Sequence, residues 1–305
     1  MELQDLQLIA YEAFIRRAAE VAMPFMLKGS YVTRQYFSNP QDRIPRDLDW
    51  LYLHPIDNVE DSRAIFDDWA TKVTEHFIDD GVTFISFKEN PFWRRIDYAM
   101  ADDFPTVNTD LVCFVDGQEF NYFSLDISYN LDLECPPISL NYKPFRGKAF
   151  TIPHTVPIAL QVSWKIHQSL VRPRHKDLFD LIFLVQHPSF DGNALKVMLQ
   201  ALVNECHFDE IDEKELHWFL GYEFEKLFDK NPVYELNWEV WRLEDYPACA
   251  SYMMSPALLQ TIPESFSEFG KMLGSVLQQK GISKALIDSN KIPKPNQTRK
   301  KRKGA

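Results

Sequence analysis

Long apolar segments are missing from this sequence of 305 residues. No apolar run approaches the roughly 18–20 residues that a membrane-spanning helix needs, and the first five residues lack the basic and apolar regions of a signal peptide. Cysteine is also scarce, and the four cysteines, at positions 113, 135, 206 and 249, form no CxxC pair. We therefore expect a cytoplasmic protein with buried free thiols and no membrane partner, and neither a zinc site nor a disulfide scaffold.

Basic residues are few in most of the chain. The sequence has 33 Lys and Arg residues against 44 Asp and Glu residues, with a formal net charge of -11. Seven of the basic residues lie between Lys291 and Ala305, a segment without acids, so the other 26 basic residues face all 44 acids with a balance of -18. A body this acidic argues against a broad basic surface for nucleic acid. It leaves room for a local nucleic-acid contact and for metal ions held by carboxylates.

The two halves of the chain differ in pattern. Strand and hairpin patterns dominate up to about residue 150, as on both sides of the turn signal at Asp116-Gly117, whereas helical periodicity dominates afterwards. We predict an α+β fold with a core at residues 1–150, a helical C-terminal domain at 151–290, and a basic, disordered tail at 291–305.

Apolar spacing and turn residues predict the individual elements. Gly81 is predicted to cap the end of the third helix, and the proline-rich segment 136–157 is predicted to be an irregular boundary. The predicted helices cover residues 6–22, 31–37, 59–80, 158–171, 176–186, 194–206, 213–228 and 265–279. The predicted strands cover residues 25–28, 47–53, 82–87, 107–115 and 120–128.

A first group of candidate site residues comprises Gly29, Ser30, Asp47, Asp49 and Asp126. Gly29 follows a predicted strand and precedes a helix, where backbone N–H groups can approach a phosphate, and Ser30 adds a hydroxyl. Asp47 and Asp49 are two apart on a predicted strand, so their carboxylates share one face and repel each other unless a cation lies between them. Solvated acids at the end of a strand are the structural alternative.

Asp126 extends this group from a second predicted strand. Mg²⁺ prefers carboxylate oxygens together with substrate phosphates. Asp126 could therefore accept a proton from an acceptor hydroxyl or hold a second ion, because two ions stabilise both the attacking and the leaving oxygen of a phosphoryl displacement. The group predicts a Mg²⁺ site with one or two ions.

A second group of charged residues surrounds the start of a later helix. A lysine in an apolar helix can extend to solvent or reach a phosphate as a point charge. Ordinary ion pairs at a helix N-terminus are the structural alternative, but alongside the first group we interpret these residues as a phosphate clamp. They are Lys165, Arg172, Arg174, Lys176, Asp177 and Asp180.

At these residues the sequence resembles the AbiEii-type nucleotidyltransferase toxins, which belong to the DNA polymerase β-like minimal nucleotidyltransferase superfamily. The likeness runs from Leu27-Lys28-Gly29 through Arg43 and the Asp47–Asp49 pair to Asp126, and resumes at Lys165 and the segment 176–180. The resemblance implies a mixed sheet flanked by helices, with a helical lobe closing over a nucleotide. It also implies Mg²⁺-dependent transfer of a nucleoside monophosphate from an NTP to an RNA, at a tRNA 3′ end, or to a protein. The toxin of a phage-defence toxin–antitoxin pair is the implied role, with a cognate antitoxin as partner.

The resemblance assigns roles residue by residue. Gly29 and Ser30 match the phosphate-gripping motif, Asp47 and Asp49 the metal-binding pair, and Asp126 the third acid. Lys165 matches the lysine that precedes an RxKDxxD-like segment, and the acids of that segment match Asp177 and Asp180. This chain departs from the family where Ser30 replaces a glycine, where Tyr31 replaces a hydroxyl residue, and at Pro45, where Ser or Thr is usual.

The residues alone leave two alternatives open. The same chemistry would serve transfer to a small molecule, which an acidic body repels less than it repels RNA. The altered residues Ser30, Tyr31 and Pro45 would also suit a nucleotide-binding regulatory protein without catalysis, although binding alone needs fewer carboxylates.

Overall fold

The computed structural model describes residues 3–96, 105–230, 237–288 and 293–295. Its strands are β1 Phe25–Lys28, β2 Leu48–Tyr52, β3 Val82–Phe84, β4 Arg94–Arg95, β5 Thr106–Val115, β6 Gln118–Ser128, β7 Ile138–Tyr142 and β8 Phe150–Thr155. Its helices are α1 Leu3–Val21, α2 Ser30–Thr33, α3 Val59–Glu75, α4 Ile158–Val171, α5 His175–Gln186, α6 Gly192–Phe208, α7 Glu213–Leu220, α8 Phe224–Lys230, α9 Trp238–Leu243, α10 Pro256–Leu259, α11 Phe266–Gln279 and α12 Ala285–Asp288.

The strands form one mixed sheet in the order β3-β5-β6-β2-β1-β8-β7, and β4 pairs with β5. The pairs β2–β6 and β1–β8 are parallel, while the other pairs are antiparallel. Helix α1 packs on β5, β6, β8 and α3, and in the second half α4 packs on α5, α6 and α7 while α11 packs on α5. The predicted α+β fold with a mixed sheet and flanking helices is therefore confirmed.

Aromatic side chains fill the space between the sheet, α1 and α3. Phe25 of β1 stacks on Trp69 of α3 with ring centroids 4.0 Å apart, and Phe14 of α1 meets the same ring edge-on at 5.5 Å. Tyr11 of α1 packs edge-on against Phe123 of β6 at 4.2 Å. All five rings are buried. Because interiors pack as densely as organic crystals, this layer holds β1 and β6 at a fixed distance from the helices.

Helix α3 ends five residues earlier than predicted, at Glu75, because the buried guanidinium of Arg17 in α1 requires acceptors there. Arg17 donates to the backbone oxygens of His76, Ile78 and Val82 and forms a bidentate pair with Asp80, with distances of 2.8 and 3.0 Å. A helix continuing to residue 80 would commit the His76 carbonyl to a hydrogen bond with the N–H of residue 80. The prediction that Gly81 caps the helix was therefore wrong.

Two further predictions need correction. The proline-rich segment 136–157 is not irregular, because β7 and β8 lie within it and extend the sheet beyond β1. The single helix predicted at 213–228 is two helices, and the turn between α7 and α8 contains Tyr222 at a positive φ of 62°. The Tyr222 hydroxyl donates to the carbonyl of Ile282 at 3.0 Å, a tertiary contact that no local pattern encodes.

Residues 42–44 of the first half pair with residues 253–255 of the second. Arg43 forms an isolated antiparallel bridge with Met254, and the N–H of Ile44 donates to the carbonyl of Met253 at 2.8 Å. The N–H of Ser255 donates to the carbonyl of Asp42 at 2.9 Å, and its hydroxyl donates to the Asp42 carboxylate at 2.8 Å. The two halves are thus joined by backbone as well as by side-chain packing.

Strand β8 lies across position 150, where the sequence pattern divides the chain, and the division itself stays a prediction. The predicted tail lies outside the described residues apart from 293–295. The four cysteines are free thiols as expected, and Cys113 and Cys249 are buried while the other two are half-buried. Within the described residues, no helix is long and apolar enough to cross a membrane.

Candidate active site

The strand register brings the predicted acids to one place. Asp49 of β2 lies directly beside Asp126 of β6 in the parallel pair, and opposite Lys28 of β1 in the antiparallel pair. Asp47 is exposed and precedes β2 by one residue. Together with Gly29 and Ser30, these residues line a cleft of about 270 Å³. The first predicted group is therefore assembled on one wall.

Glycine is required at position 29, between β1 and α2, by the backbone conformation and by the space available. Its φ of 70° and ψ of -155° suit glycine, and a Cβ added there would lie 2.2 Å from Oδ2 of Asp49. The Gly29 carbonyl accepts hydrogen bonds from the N–H groups of Val32 and Thr33, which close the turn of α2. Glycine thus lets the backbone approach the Asp49 carboxylate closely.

Replacing Gly29 by alanine should therefore displace the Asp49 carboxylate and lower both stability and activity. A residue with a Cβ at this φ and ψ costs about 1–3 kcal/mol, and the steric contact with Asp49 adds to it. Gly117→Ala is the matched control, because Gly117 has a φ of 82° but open space around its Cβ position. Thermal unfolding and NTP turnover of both variants would measure the difference, and equal losses would contradict a special role of the Asp49 contact.

Asn108 holds the third acid, and the sequence analysis missed it. This β5 residue lies opposite Asp126, and its Nδ2 donates to Oδ1 of Asp126 at 2.5 Å and to Oγ of Ser124 at 2.7 Å. Its Oδ1 accepts from Nε of Arg94 at 3.1 Å and also from Nη2 of Arg94. Because Arg94 can only donate, it fixes which side of the Asn108 amide faces Asp126.

A buried network of ion pairs forms the opposite wall. Nζ of Lys165 on α4 lies 2.9 Å from Asp177 and 2.8 Å from Asp180, both on α5. Nε of Arg174 pairs with Asp177 at 2.6 Å, and Nε of Arg43 pairs with Asp180 at 2.8 Å. The network links α4, the start of α5 and the loop before β2.

In this network the neighbouring charges together shift the pKa values more than burial does. Burial alone raises the pKa of Asp177 and Asp180, but the cations beside them hold the pKa of both carboxyls below its ordinary value. For Lys165, burial lowers the pKa, and the two carboxylates raise it above its ordinary value. All three groups are therefore ionised at neutral pH.

The second predicted group divides into residues that line the cleft and one that does not. Lys165, Arg172, Arg174, Lys176 and Asp177 line it, facing the acids of β2 and β6. Asp180 is wholly buried and is not among the described residues that line the cleft; its carboxylate pairs with Arg43 and Lys165, which both line it. The nucleotide-binding role of Asp180 stays a prediction.

Lys176 differs from the other cations of this wall. It makes no ion pair or hydrogen bond with any part of the chain that the structure describes. Burial lowers the pKa of Lys176 and the neighbouring Arg174 lowers it further, and the carboxylates of Asp177 and Asp47 offset these effects only in part. An amine in this situation gains more from an incoming phosphate than one already held between two carboxylates, as Lys165 is.

A protein-family model matches most of this chain. The model of the family described as "Nucleotidyl transferase AbiEii toxin, Type IV TA system" matches residues 14–244. A search of curated proteins finds no match.

Solved structures give a similarity in fold. MenT4, a nucleotidyltransferase toxin from Mycobacterium tuberculosis, is 10% identical, with 91% of this chain and 84% of that chain covered and a TM-score of 0.55. JHP933 from Helicobacter pylori is 18% identical, with 95% and 97% covered and a TM-score of 0.47. A putative nucleotidyltransferase from H. pylori is 18% identical, with 95% and 99% covered and a TM-score of 0.46. Since the family match spans well over half of the chain, the protein belongs to the AbiEii family of nucleotidyltransferase toxins of type IV toxin–antitoxin systems.

Proposed function

We propose that this chain transfers a nucleoside monophosphate from an NTP to an RNA end, such as the 3′ end of a tRNA, or to a protein hydroxyl, and releases pyrophosphate. The observation that carries the proposal is the cleft itself, where Asp47, Asp49 and Asp126 face the cations of α4 and α5. The family implies an antitoxin partner. We place the reaction in the cytoplasm, as a phage-defence activity.

One or two of these carboxylates, together with substrate phosphates, would hold each Mg²⁺. Among the described residues, no three His, Cys, Asp or Glu side chains come close enough to share one cation. Oxygen donors alone are the set that Mg²⁺ prefers. Asp49 lies 3.6 Å from Nζ of Lys28 and Asp126 accepts from Asn108, so both carboxylates are now partnered by donors. The ion supplies neutralisation of triphosphate charge and stabilisation of the attacking and leaving oxygens.

The residues of the chain have separate tasks in this proposal. Lys176, and Arg172 and Arg174 beside it, bind the triphosphate by charge. Gly29 and Ser30 bring backbone against the phosphates, and Asp126 takes the proton of the acceptor hydroxyl. Lys165 adds positive charge to the wall at a position fixed by its two carboxylates.

Radioactive NTPs would test the proposal. The protein is incubated with each of the four NTPs, labelled at the α- or the γ-phosphate, together with Mg²⁺, tRNA and cell lysate. We expect transfer of the α-label alone, and digestion of the product with RNase or protease identifies the acceptor. Tight NTP binding with no labelled RNA, protein or small molecule would instead support a regulatory protein without catalysis.

Asn108→Ala should slow transfer by about ten- to a hundredfold. A hydrogen bond to a charged group contributes about 1.5–3 kcal/mol, and its loss frees the Asp126 carboxylate to rotate. Because Asn108 acts through Asp126 and not on the triphosphate, kcat should fall while KM for NTP changes little.

Ser124→Ala is the control for this variant. It removes a second partner of Asn108 and leaves the bond between Asn108 and Asp126 in place. Steady-state kinetics of both variants separates the two contacts. A fall in kcat of equal size in both, or none in Asn108→Ala, would show that Asn108 does not position the acid.

A further inference from the structure

Trp164 lies on the face of α4 that lines the cleft. Gln161, Trp164, Lys165, Gln168 and Arg172 follow one another at helical spacing along this face, and all five line the cleft. Trp164 is half-buried and packs in part against the hydrophobic core. The remaining part of its surface therefore belongs to the wall of the cleft.

The indole ring of Trp164 has no aromatic partner among the described residues, in contrast to the other large rings near the sheet. Trp69, for example, contacts Phe14, Phe25 and Trp50. We propose that Trp164 is the platform on which the base of the bound NTP stacks, an inference that rests on the nucleotidyl transfer proposed above. Every base has a π-face, so an unpaired ring in a nucleotide cleft binds all four bases by stacking.

An unpaired polar group beside Trp164 supports this assignment independently. Gln161, one helical turn earlier, is 3% exposed, and its Nε2 has no hydrogen-bond partner in the described part of the chain. Buried amide donors are normally paired. The polar edge of a base lying on Trp164 would supply the missing partner of this amide.

The position of Trp164 favours the base of the NTP over a base of the acceptor. Thr33 Oγ1 lies 2.7 Å from Gln161 Oε1 and 3.1 Å from the Gly29 carbonyl, so this part of α4 is tied to the predicted phosphate loop. Trp164 is three residues further along α4, about 4.5 Å by the helical rise. A base on its ring is therefore adjacent to the phosphates of the same nucleotide.

Calorimetric titration without any acceptor tests the inference. Wild-type protein, Trp164→Ala, Trp164→Leu and Trp164→Phe are titrated with each NTP and with inorganic tripolyphosphate, all with Mg²⁺. The Ala and Leu variants should weaken NTP binding by about tenfold or more, whereas Trp164→Phe, which keeps a π-face, should stay within about threefold. Binding of tripolyphosphate should not change, because it carries no base.

Trp218→Leu is the matched control. Trp218 of α7 is also half-buried against the core, but it does not line the cleft and its ring faces Lys214 and Lys226. Its replacement should leave NTP affinity unchanged. The Leu variant keeps an apolar side chain at position 164 and should therefore fold normally, which circular dichroism would check. A loss of NTP affinity in a folded Leu variant then reports the loss of the ring.

Two results would overturn the inference and leave the proposed function standing. One is unchanged NTP affinity in Trp164→Ala and Trp164→Leu, which would leave an acceptor base as the occupant of the ring. The other is equal weakening of NTP and tripolyphosphate binding. Failure of the wild-type protein to bind any NTP would instead overturn the proposed function, and this inference with it.

Discussion

Replacing Asp49 by asparagine should reduce nucleotidyl transfer by about a thousandfold or more. Asp49 is central to the cleft, beside Asp126 and opposite Lys28. A metal ion on the transferred phosphate stabilises the transition state by several kcal/mol, and each 1.36 kcal/mol is a factor of ten in rate. The amide keeps the size of the side chain and removes its charge. Release of pyrophosphate from NTP in the presence of acceptor measures the rate.

Asp68→Asn is the matched control for charge. Asp68 lies on the exposed face of α3 and pairs with Lys72, and neither residue lines the cleft. Its rate should equal that of the wild-type protein. Retention of a tenth or more of the activity in Asp49→Asn, with normal thermal stability, would remove Asp49 from the proposed metal site.

Replacing Asp180 by alanine should lower the free energy of unfolding by about 3–5 kcal/mol. The carboxylate is wholly buried between Arg43 and Lys165, and removal of one partner leaves buried charge without compensation. Asp68→Ala, which breaks an exposed pair, should change the same quantity by no more than about 0.5 kcal/mol. Urea denaturation of the three proteins measures both values, and similar losses in the two variants would contradict the structure of the network.

The same network predicts how stability depends on pH. The folded-state pKa of Asp177 and of Asp180 lies below the unfolded value of about 4. Their contribution is therefore fully present above about pH 4 and is lost as the pH falls towards the folded pKa values. In Asp180→Ala, this acid-side loss should be smaller than in the wild-type protein when unfolding is measured from pH 5 downwards.

Short-range sequence spacing predicted the candidate site residues that lie close together in the chain. Asp47 and Asp49 are two residues apart at the start of β2, and Gly29 lies between a strand and a helix, so spacing alone predicts their proximity. Asn108 could not be found in this way. Counting back from the hairpin turn pairs it with Leu125, and the bulge between Leu111 and Cys113 shifts the register by one, so that Asn108 faces Asp126.

Long-range pairing explains the other differences. Arg17 ends α3 early through acceptors that lie about 60 residues away, and Arg43 pairs with the buried Asp180 across 137 residues. A sequence pattern read over the length of one helix includes neither of these partners. Asp177 and Asp180 have the same residue type and lie on one helix, and only their tertiary contacts decide that Asp177 lines the cleft while Asp180 does not.

The pairing of residues 42–44 with residues 253–255 fixes the backbone on both sides of Arg43. Arg43 belongs both to that pairing and to the buried network, since it donates to the carbonyls of Ile44 and Met253 and to Asp180. The match to the family model ends at residue 244, before residues 253–255. Arg43 lines the cleft and is bound to that later segment. The position of a side chain in the cleft thus depends on backbone that lies outside the matched region.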